Sequence, residues 1–533
     1  MKVSPIYLFA FSLLFVQIPC GEMGKILVFP LDGSHWVNMK ILVEELHGKG
    51  HEITVVRTSD SWYISEESPF YTSLTLLVNT GFEETFKTYM STQLEILYQA
   101  KSTSMWSHSF NALKLRQVML KQFNEMHRRM SEMIIHMFED KNFMRSLQDA
   151  KYDVVLTDPG IGGGAMLARW LKVPLVYNVR WTIQGEAHLL LAPSPLSYVP
   201  FTATELTDKM TFSQRVLNLF SYVVGMYTLS SITDPYYKPI VTKYLGPDVD
   251  YTSLHLDADI WLMRTDFVFE FPRPTMPNIV YIGGFQCKPS KPLSQDLEKF
   301  VQSSGDHGVV VMTLGTLIGT LPQAVAEEIA AAFAQLPQKV LWRYLGQRPV
   351  NVGNNTLLVD WLPQNDLLGH PKTRAFVSHG GTNGVQEAIY HGVPVVGLPL
   401  LYDQPDNLLK IKAKGGAVTV KLALLDRHVF KEALMSVLYN PSYRNNMQRL
   451  SRLHRDKPMN PLSLAVFWIE YVMRHKGAGH LQAQSNNMSW FIYNSVDVIA
   501  TLMTLVLLGT FLCVLFLRFL WRRVFVGKRI KRE

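Results

Sequence analysis

Short apolar runs alternate with stretches of helical spacing along most of the chain. Lys25-Ile-Leu-Val-Phe29 predicts a buried strand, Trp36 to Lys49 a helix with one apolar face, and Glu52-Ile-Thr-Val-Val56 the next strand. Strand, helix and strand in that order make a βαβ opening. Further strands are expected at Tyr152-Asp-Val-Val-Leu156 and Val173-Pro-Leu-Val-Tyr177, with a helix-like Ala165 to Leu171 between them. From 85 to 150 the pattern is helical. Met126, Met130, Met133 and Met137, spaced by 4, 3 and 4, predict a core-facing stripe, with adaptable lining of a pocket as the competing reading.

Prolines punctuate the chain at Phe271-Pro-Arg-Pro274, Pro277, Pro289 and Pro292, marking a domain boundary. A second α/β pattern follows, with strands at Gly308-Val-Val-Val-Met312, Lys339-Val-Leu-Trp342, Thr356-Leu-Leu-Val359, Arg374-Ala-Phe-Val377 and Val393-Pro-Val-Val396, and a helix at Gln323 to Gln335. Pro461 to Lys476 again has helical spacing, and no internal repeat is visible. The fold class is therefore α/β, with two Rossmann-like, doubly wound domains expected at 22–283 and 284–485, the second including a returning helix. With 533 residues, 47% of them hydrophobic, the chain can fill two cores, since single cores stop growing at roughly 250–300 residues.

The two ends change the picture. Lys2, the apolar run Ile6 to Val16 and Pro19-Cys20-Gly21 read as a secretory signal over 1–21. Val498 to Leu517 is an uncharged run of 20 residues, the length of a transmembrane helix, preceded by a juxtamembrane stretch at 486–497. In the tail 518–533, Arg518, Arg522, Arg523, Lys528, Arg529, Lys531 and Arg532 face only Glu533, which predicts a cytosolic tail and a lumenal body. That tail carries +6 of the net +8, so the charge is a topology signal and gives no reason to expect nucleic acid as a partner. Cys20 and Cys513 fall in the two apolar ends, leaving Cys287 alone in the body and no disulfide framework. Asn354 and Asn487 begin glycosylation sequons.

The candidate chemistry concentrates in Trp361-Leu-Pro-Gln364, Phe376-Val-Ser-His-Gly-Gly-Thr-Asn-Gly384, Glu387, His391-Gly-Val-Pro394 and Pro399-Leu-Leu-Tyr-Asp-Gln-Pro-Asp-Asn407. After the strand ending at Val377, Gly380, Gly381 and Gly384 permit a tight turn into a helix whose first N–H groups point outward, which is a phosphate site. His379 enters that turn, where it is placed to donate to a phosphate oxygen and steady a diphosphate leaving group. Asp403 and Gln404 suit sugar hydroxyls, and Trp361 offers a flat face for a base. His35 lies in a strand-to-helix loop at the crevice edge, a position suited to a general base. Asp158 ends a strand of the same sheet and can meet the far ring nitrogen of His35, whereas its competitor Asp153 starts that strand at the wrong end.

The run from Trp361 to Asn407 resembles the signature of the UDP-glycosyltransferase family, and more closely that of the vertebrate UDP-glucuronosyltransferases. The resemblance extends through Asp32-Gly-Ser-His-Trp36, Leu156-Thr-Asp-Pro159, Trp261-Leu-Met-Arg264, Phe269 to Pro274, Gly283-Gly284, Thr313-Leu-Gly-Thr316 and the membrane tail. It implies a GT-B architecture, with an N-terminal acceptor domain and a C-terminal UDP-sugar domain. It also implies that His35 is the base and Asp158 its partner. By the same likeness Trp361 and Gln364 meet uracil, and Glu387 the ribose. Thr316, His379, Gly381, Thr382, Asn383 and Gly384 meet the diphosphate, and Asp403 and Gln404 the sugar, with Arg264 and Arg343 near the phosphates or sugar.

The implied reaction is inverting transfer of glucuronic acid from UDP-glucuronate, as co-substrate, to small lipophilic acceptors, with no permanently bound cofactor and no metal. The rival readings are the same chemistry with UDP-glucose, UDP-galactose or UDP-N-acetylglucosamine, and a catalytically silent lumenal binder of lipophiles. Residence in the endoplasmic reticulum membrane as a single-pass type I protein, contact with membrane lipid through one helix, and homo- or hetero-oligomers with relatives are further implications. The tail Arg529-Ile-Lys-Arg-Glu533 is similar to dilysine retrieval signals, with arginine for one lysine. Two positions depart from the family pattern. Ser378 stands where many relatives have threonine, and Leu401-Tyr402 expects a bulky ring beside the sugar site.

Overall fold

In the computed structural model, which describes residues 23–99, 105–180, 182, 187–316 and 318–526, two parallel sheets dominate. The signal segment 1–21 and Lys528, Arg529, Lys531, Arg532 and Glu533 of the tail lie outside the described residues. The first sheet comprises β1 (Lys25–Phe29), β2 (Glu52–Thr58), β3 (Thr72–Leu76), β4 (Val154–Thr157), β5 (Leu175–Val179), β6 (Ile260–Met263) and β7 (Ile279–Tyr281), in the order β3-β2-β1-β4-β5-β6-β7. The second comprises β8 (Val309–Thr313), β9 (Lys339–Arg343), β10 (Thr356–Val359), β11 (Thr373–Ser378), β12 (Val395–Gly397) and β13 (Ala417–Thr419), in the order β10-β9-β8-β11-β12-β13. Helices cover both faces, so the central strands are apolar throughout rather than alternating. Ile26, Leu27 and Val28, successive in β1, are all fully buried.

In the first sheet β4 and β5 each begin two residues later than their apolar runs suggest. Asp153 accepts the Lys25 N–H at 2.7 Å and so marks the entry to β4, and Pro174, with no N–H to donate, offers only its carbonyl to Val155 ahead of β5. The sequence reading lacks β3, β6, β7 and β13. These are only three to five residues long, and all except β6 lie at sheet edges.

The helices that shape the site are α1 (Ser34–Gly48), α2 (Phe82–Gln99), α3 (Met105–Glu139), α4 (Gly163–Leu171), α5 (Phe212–Tyr244), α6 (Thr382–His391), α7 (Gln404–Ala413) and α8 (Pro461–His475). Met130, Met133 and Met137 of the methionine stripe are buried against β1, α4 and the end of α5. Helices also pass between the two halves. Met90 and Leu94 of α2 are buried in the core of the second sheet beside Val310 and Leu422, while Ala465, Val466, Ile469 and Val472 of α8 return to pack on Ile26, Val28 and Val154 of the first. Both sheets accordingly belong to one compact unit that ends at Leu481.

The helix α5 opens with a capping box between Thr211 and Gln214 and buries Tyr237, Ile240 and Val241 at its far end. Its first half leaves Phe212, Val216, Leu219, Phe220, Val223 and Tyr227 exposed along one face. Among the described residues it is one of two helices long and apolar enough to cross a membrane. The other, α9 (Val496–Trp521), belongs to the second unit, which starts at Gln482, and extends the predicted span 498–517 at both ends. Its most apolar window has a mean hydropathy of 2.6, and none of its side chains is buried. Such a surface is stable in lipid rather than in water.

Candidate active site

Strand order brings the first part of the site together. In the first sheet β1 and β4 are neighbours although 120-odd residues apart in sequence, with Phe29 in register with Thr157. The strand order reverses there while both strands run parallel, so whatever follows the two strands meets in the crevice at their carboxyl ends. Leaving β1, the backbone turns at Gly33 with φ 73° and enters α1 at Ser34, so His35 lies in the first helical turn, not in the loop expected from sequence. Its Nδ1–H donates to Asp158 Oδ2 at 2.6 Å, and the other carboxylate oxygen accepts the Gly160 N–H at 2.8 Å. Asp153 sits at the opposite end of the strand, committed to Lys25.

Burial pulls the His35 pKa down, Asp158 pulls it back up, and Arg264 and Arg180 lower it again; the net position is below the ordinary histidine value. For Asp158, burial favours protonation, but His35, Arg264 and the Gly160 N–H outweigh it and hold the carboxyl below its ordinary value. The pair is therefore a neutral imidazole on a carboxylate, with Nε2 as the basic nitrogen. Arg264, which follows β6, places Nη2 3.5 Å from Asp158 Oδ2. Its guanidinium is buried, and Nε and Nη1 have no hydrogen-bond partner among the described residues. Burial lowers its pKa to about 10, so it stays cationic at neutral pH. Its carbonyl accepts from Gln386 Nε2 at 2.7 Å, and Gln386 Oε1 in turn accepts the Gly284 N–H at 2.7 Å.

The second sheet repeats the geometry between β8 and β11, where Ser378 is in register with Thr313. Gly380 has φ 92°, and a Cβ there would lie 2.6 Å from Leu408 and 2.8 Å from the Gln404 carbonyl, so only glycine fits the turn. α6 then starts after Gly381 with no side-chain cap, leaving its first N–H groups and the positive end of its dipole for an anion. His379 packs beside this turn. Its Nδ1 is buried without a partner among the described residues, and burial lowers its pKa to about 4, so the ring is neutral. Thr316 lines the same space. The side chain of Asn383 is otherwise engaged, because its Oδ1 accepts from Asn38 of α1 at 2.7 Å.

Asp403 gathers Asn407 Nδ2 at 2.7 Å, Thr382 Oγ1 at 3.3 Å, and Arg180 Nη2 at 3.0 and 2.9 Å from its two oxygens. Burial would raise its pKa, but Arg180 and these donors bring it to about 2, so it is a carboxylate. Gln404 spends Oε1 on the N–H groups of Leu400 and Leu401, which leaves its amide nitrogen for a ligand. Tyr402 corrects the sequence expectation. Its backbone adopts φ 57°, and the ring turns to the helices of the first half, donating to Gln122 Oε1 at 2.9 Å and packing on Phe86 and Phe123.

At the far end Trp361 is 69% exposed, with the Arg343 guanidinium 5.8 Å from its ring. Arg343 lines the same cavity and donates to the carbonyls of Gly315 at 2.8 Å and Asp360 at 3.0 Å. Gln364 Nε2 donates to Glu387 Oε2 at 2.5 Å, and burial pushes the Glu387 carboxyl up to about 7 against that bond.

One cavity of ≈ 1340 Å³ is lined by His35, Arg264, Thr316, Arg343, Trp361, Gln364, His379, Glu387, Asp403, Gln404 and the start of α6, while Asp158 stands behind His35. Its other end is apolar, with Leu120, Phe123, Met126 and Met130 from α3 and Val224 and Ile232 from α5, so the methionine stripe both fills the core and lines the pocket. Among the described residues no three His, Cys, Asp or Glu side chains are placed to hold a metal ion. Three residues of the site escaped the sequence reading: Arg180, Asn38 and Gln386. Arg180 carried a usable signal, being a charge directly after an apolar strand, the same position that singles out Asp158.

Two parallel α/β sheets whose switch points face one cavity make a GT-B fold. The fold is shared with the calicheamicin glycosyltransferase CalG4 (TM-score 0.55, 16% identity, covering 85% of this chain and 99% of that one) and the spinosyn forosaminyltransferase SpnP (TM-score 0.54, 16% identity, covering 84% and 99%). Residues 24–532 match the family described as UDP-glucoronosyl and UDP-glucosyl transferase, and the chain belongs to it, as a UDP-sugar-dependent glycosyltransferase. It is 43% identical to UDP-glucuronosyltransferase 2B13 of Oryctolagus cuniculus, covering 99% of this chain and 100% of that protein, and 43% identical to UDP-glucuronosyltransferase 2A1 of Mus musculus, covering 96% of each.

Proposed function

We propose that this enzyme transfers glucuronic acid from UDP-glucuronate to a hydroxyl of small lipophilic acceptors, with inversion at the anomeric carbon. The observation that carries the reading is the His35–Asp158 hydrogen bond of 2.6 Å on one side of a cavity whose other side holds the uncapped start of α6 and the buried Nδ1 of His379, which has no partner among the described residues. An acceptor hydroxyl gives its proton to His35 Nε2, and Asp158 stabilises the imidazolium. The oxygen attacks the anomeric carbon as the bond to UDP breaks on the opposite face, converting an α-linked donor to a β-linked product. His379, Thr316 and the N–H groups of Gly381, Thr382, Asn383 and Gly384 take up the charge on the diphosphate. Trp361 and Gln364 hold uracil, Glu387 the ribose, and Asp403 with Gln404 the sugar. In this reading the first half binds the acceptor and the second the donor. The apolar end of the cavity, rich in methionine, suits varied lipophiles, including foreign compounds and steroids.

The relatives' names support the choice of glucuronate. The decisive experiment is product formation from each UDP-sugar with phenols, steroids and bile acids, comparing membranes that carry the wild type and His35→Ala. Turnover of UDP-glucuronate that vanishes in the variant is expected; preference for another UDP-sugar would refute the donor, and undiminished turnover in the variant would refute the base.

The same proposal places the protein in the endoplasmic reticulum as a type I membrane protein, with α9 as the span, a cleaved signal and lumenal catalytic halves. Asn354 and Asn487, both exposed, are then available for glycosylation. Protease protection of the body in intact microsomes, with a glycosidase-sensitive mass shift, is the expected result. Cross-linking in the same membranes tests self-association or pairing with relatives.

A further inference from the structure

We infer that Arg180, which pairs with Asp403, recognises the carboxylate of an anionic donor sugar; this rests on the reading of Asp403 and Gln404 as the sugar site. Arg180 directly follows β5 and reaches out of the first sheet to the loop that opens α7 in the second. One nitrogen, Nη2, carries both contacts to Asp403, at 3.0 and 2.9 Å. The Nε–H is buried and has no partner among the described residues. The guanidinium is thus only partly used: it has five N–H donors in a planar fork that matches a carboxylate, and a single edge nitrogen is engaged.

The surroundings decide which ligand fits. Asp403 holds Thr382 and Asn407 besides Arg180, and Gln404 presents only its amide nitrogen, so the loop by itself supplies one anionic acceptor and one neutral donor for hydroxyls. A neutral hexose needs nothing more. A uronate brings a second negative charge into a site where Asp403 already sits, and it would be repelled unless a cation stood between the two. Arg180 occupies that place, lining the cavity with Asp403 and Gln404.

The test is the binding of UDP, UDP-glucuronate and UDP-glucose to the full-length protein in detergent, measured by calorimetry for the wild type, Arg180→Gln, Arg180→Lys and Asp403→Asn. The wild type should bind UDP-glucuronate more tightly than UDP-glucose. Arg180→Gln should erase that preference through a loss of about 10- to 100-fold for UDP-glucuronate. Unchanged UDP affinity shows that the variant is folded. Arg180→Lys should keep part of the preference, as a point charge without the fork. A preference that survives in Arg180→Gln, equal losses for both sugar nucleotides, or no preference in the wild type would each overturn the inference. If Asp403→Asn leaves both sugar nucleotides at wild-type affinity, the sugar-site reading itself fails; if it weakens both while Arg180→Gln does not discriminate, only the role of Arg180 fails.

Discussion

Replacing Asp158 by Asn tests the heart of the reaction, because it removes one charge and almost no volume. The lost element is a buried, charge-assisted hydrogen bond of 2.6 Å to His35. Bonds of that kind contribute about 1.5–3 kcal/mol, or roughly 10- to 150-fold in rate if felt fully in the transition state. Two further losses add to it. The amide can hold His35 in the wrong tautomer, and Arg264, 3.5 Å from the carboxylate, is left as a buried cation without its counter-charge. Together these predict a fall in kcat/KM of about 10²–10⁴.

The pH profile gives a second readout. The base must be unprotonated, so the acidic limb of kcat/KM follows the His35 pKa, which lies below the ordinary histidine value. Asp158 is the main influence holding it up against burial, and Arg264 pushes down. In Asp158→Asn the limb therefore moves to lower pH while its plateau drops. The assay is glucuronide formation from one phenol across pH, with UDP affinity as the control for folding. A variant that keeps most of the wild-type kcat/KM, with its limb unmoved, would refute the pairing as a catalytic device.

Three other outcomes are expected. His379→Ala should lower kcat by about 10²–10³, the usual loss of one donor to a developing anion, measured under saturating donor. Because Glu387 titrates at about 7 and its carboxylate is the better acceptor for ribose hydroxyls, UDP-sugar affinity should rise as pH passes upward through that value and become flat in Glu387→Gln, as read by calorimetry. Tyr402→Asn, which suits φ 57°, should raise the acceptor KM by about 2- to 10-fold through lost aromatic packing on Phe86 and Phe123 and leave the donor KM alone; a donor effect would mean that the ring does face the sugar.

The sequence by itself determined the α/β class, the apolar span now seen as α9, the glycine turn ahead of α6, and His35 and Asp158 at the ends of their strands. Those are local properties. An apolar run buried on both faces, a glycine turn that only glycine can make, and 20 uncharged residues each declare themselves without their neighbours. Edge strands as short as β7 and β13 carry too few apolar residues to do so, and the exact start of α1, which puts His35 in a helical turn, depends on the strained-sign turn at Gly33.

Only the tertiary structure decided which distant residues meet. His35 touches Asp158 because β4, and not β2, continues the sheet beyond β1 on the side of the switch point. Tyr402 reaches Gln122 because α2 and α3 pack over the second sheet's loop. Arg180 reaches Asp403, 223 positions later, because the two sheets present their carboxyl ends to one cavity. Strand order and the docking of one half on the other are set by the sum of many weak contacts, so they leave no mark at any single position of the chain.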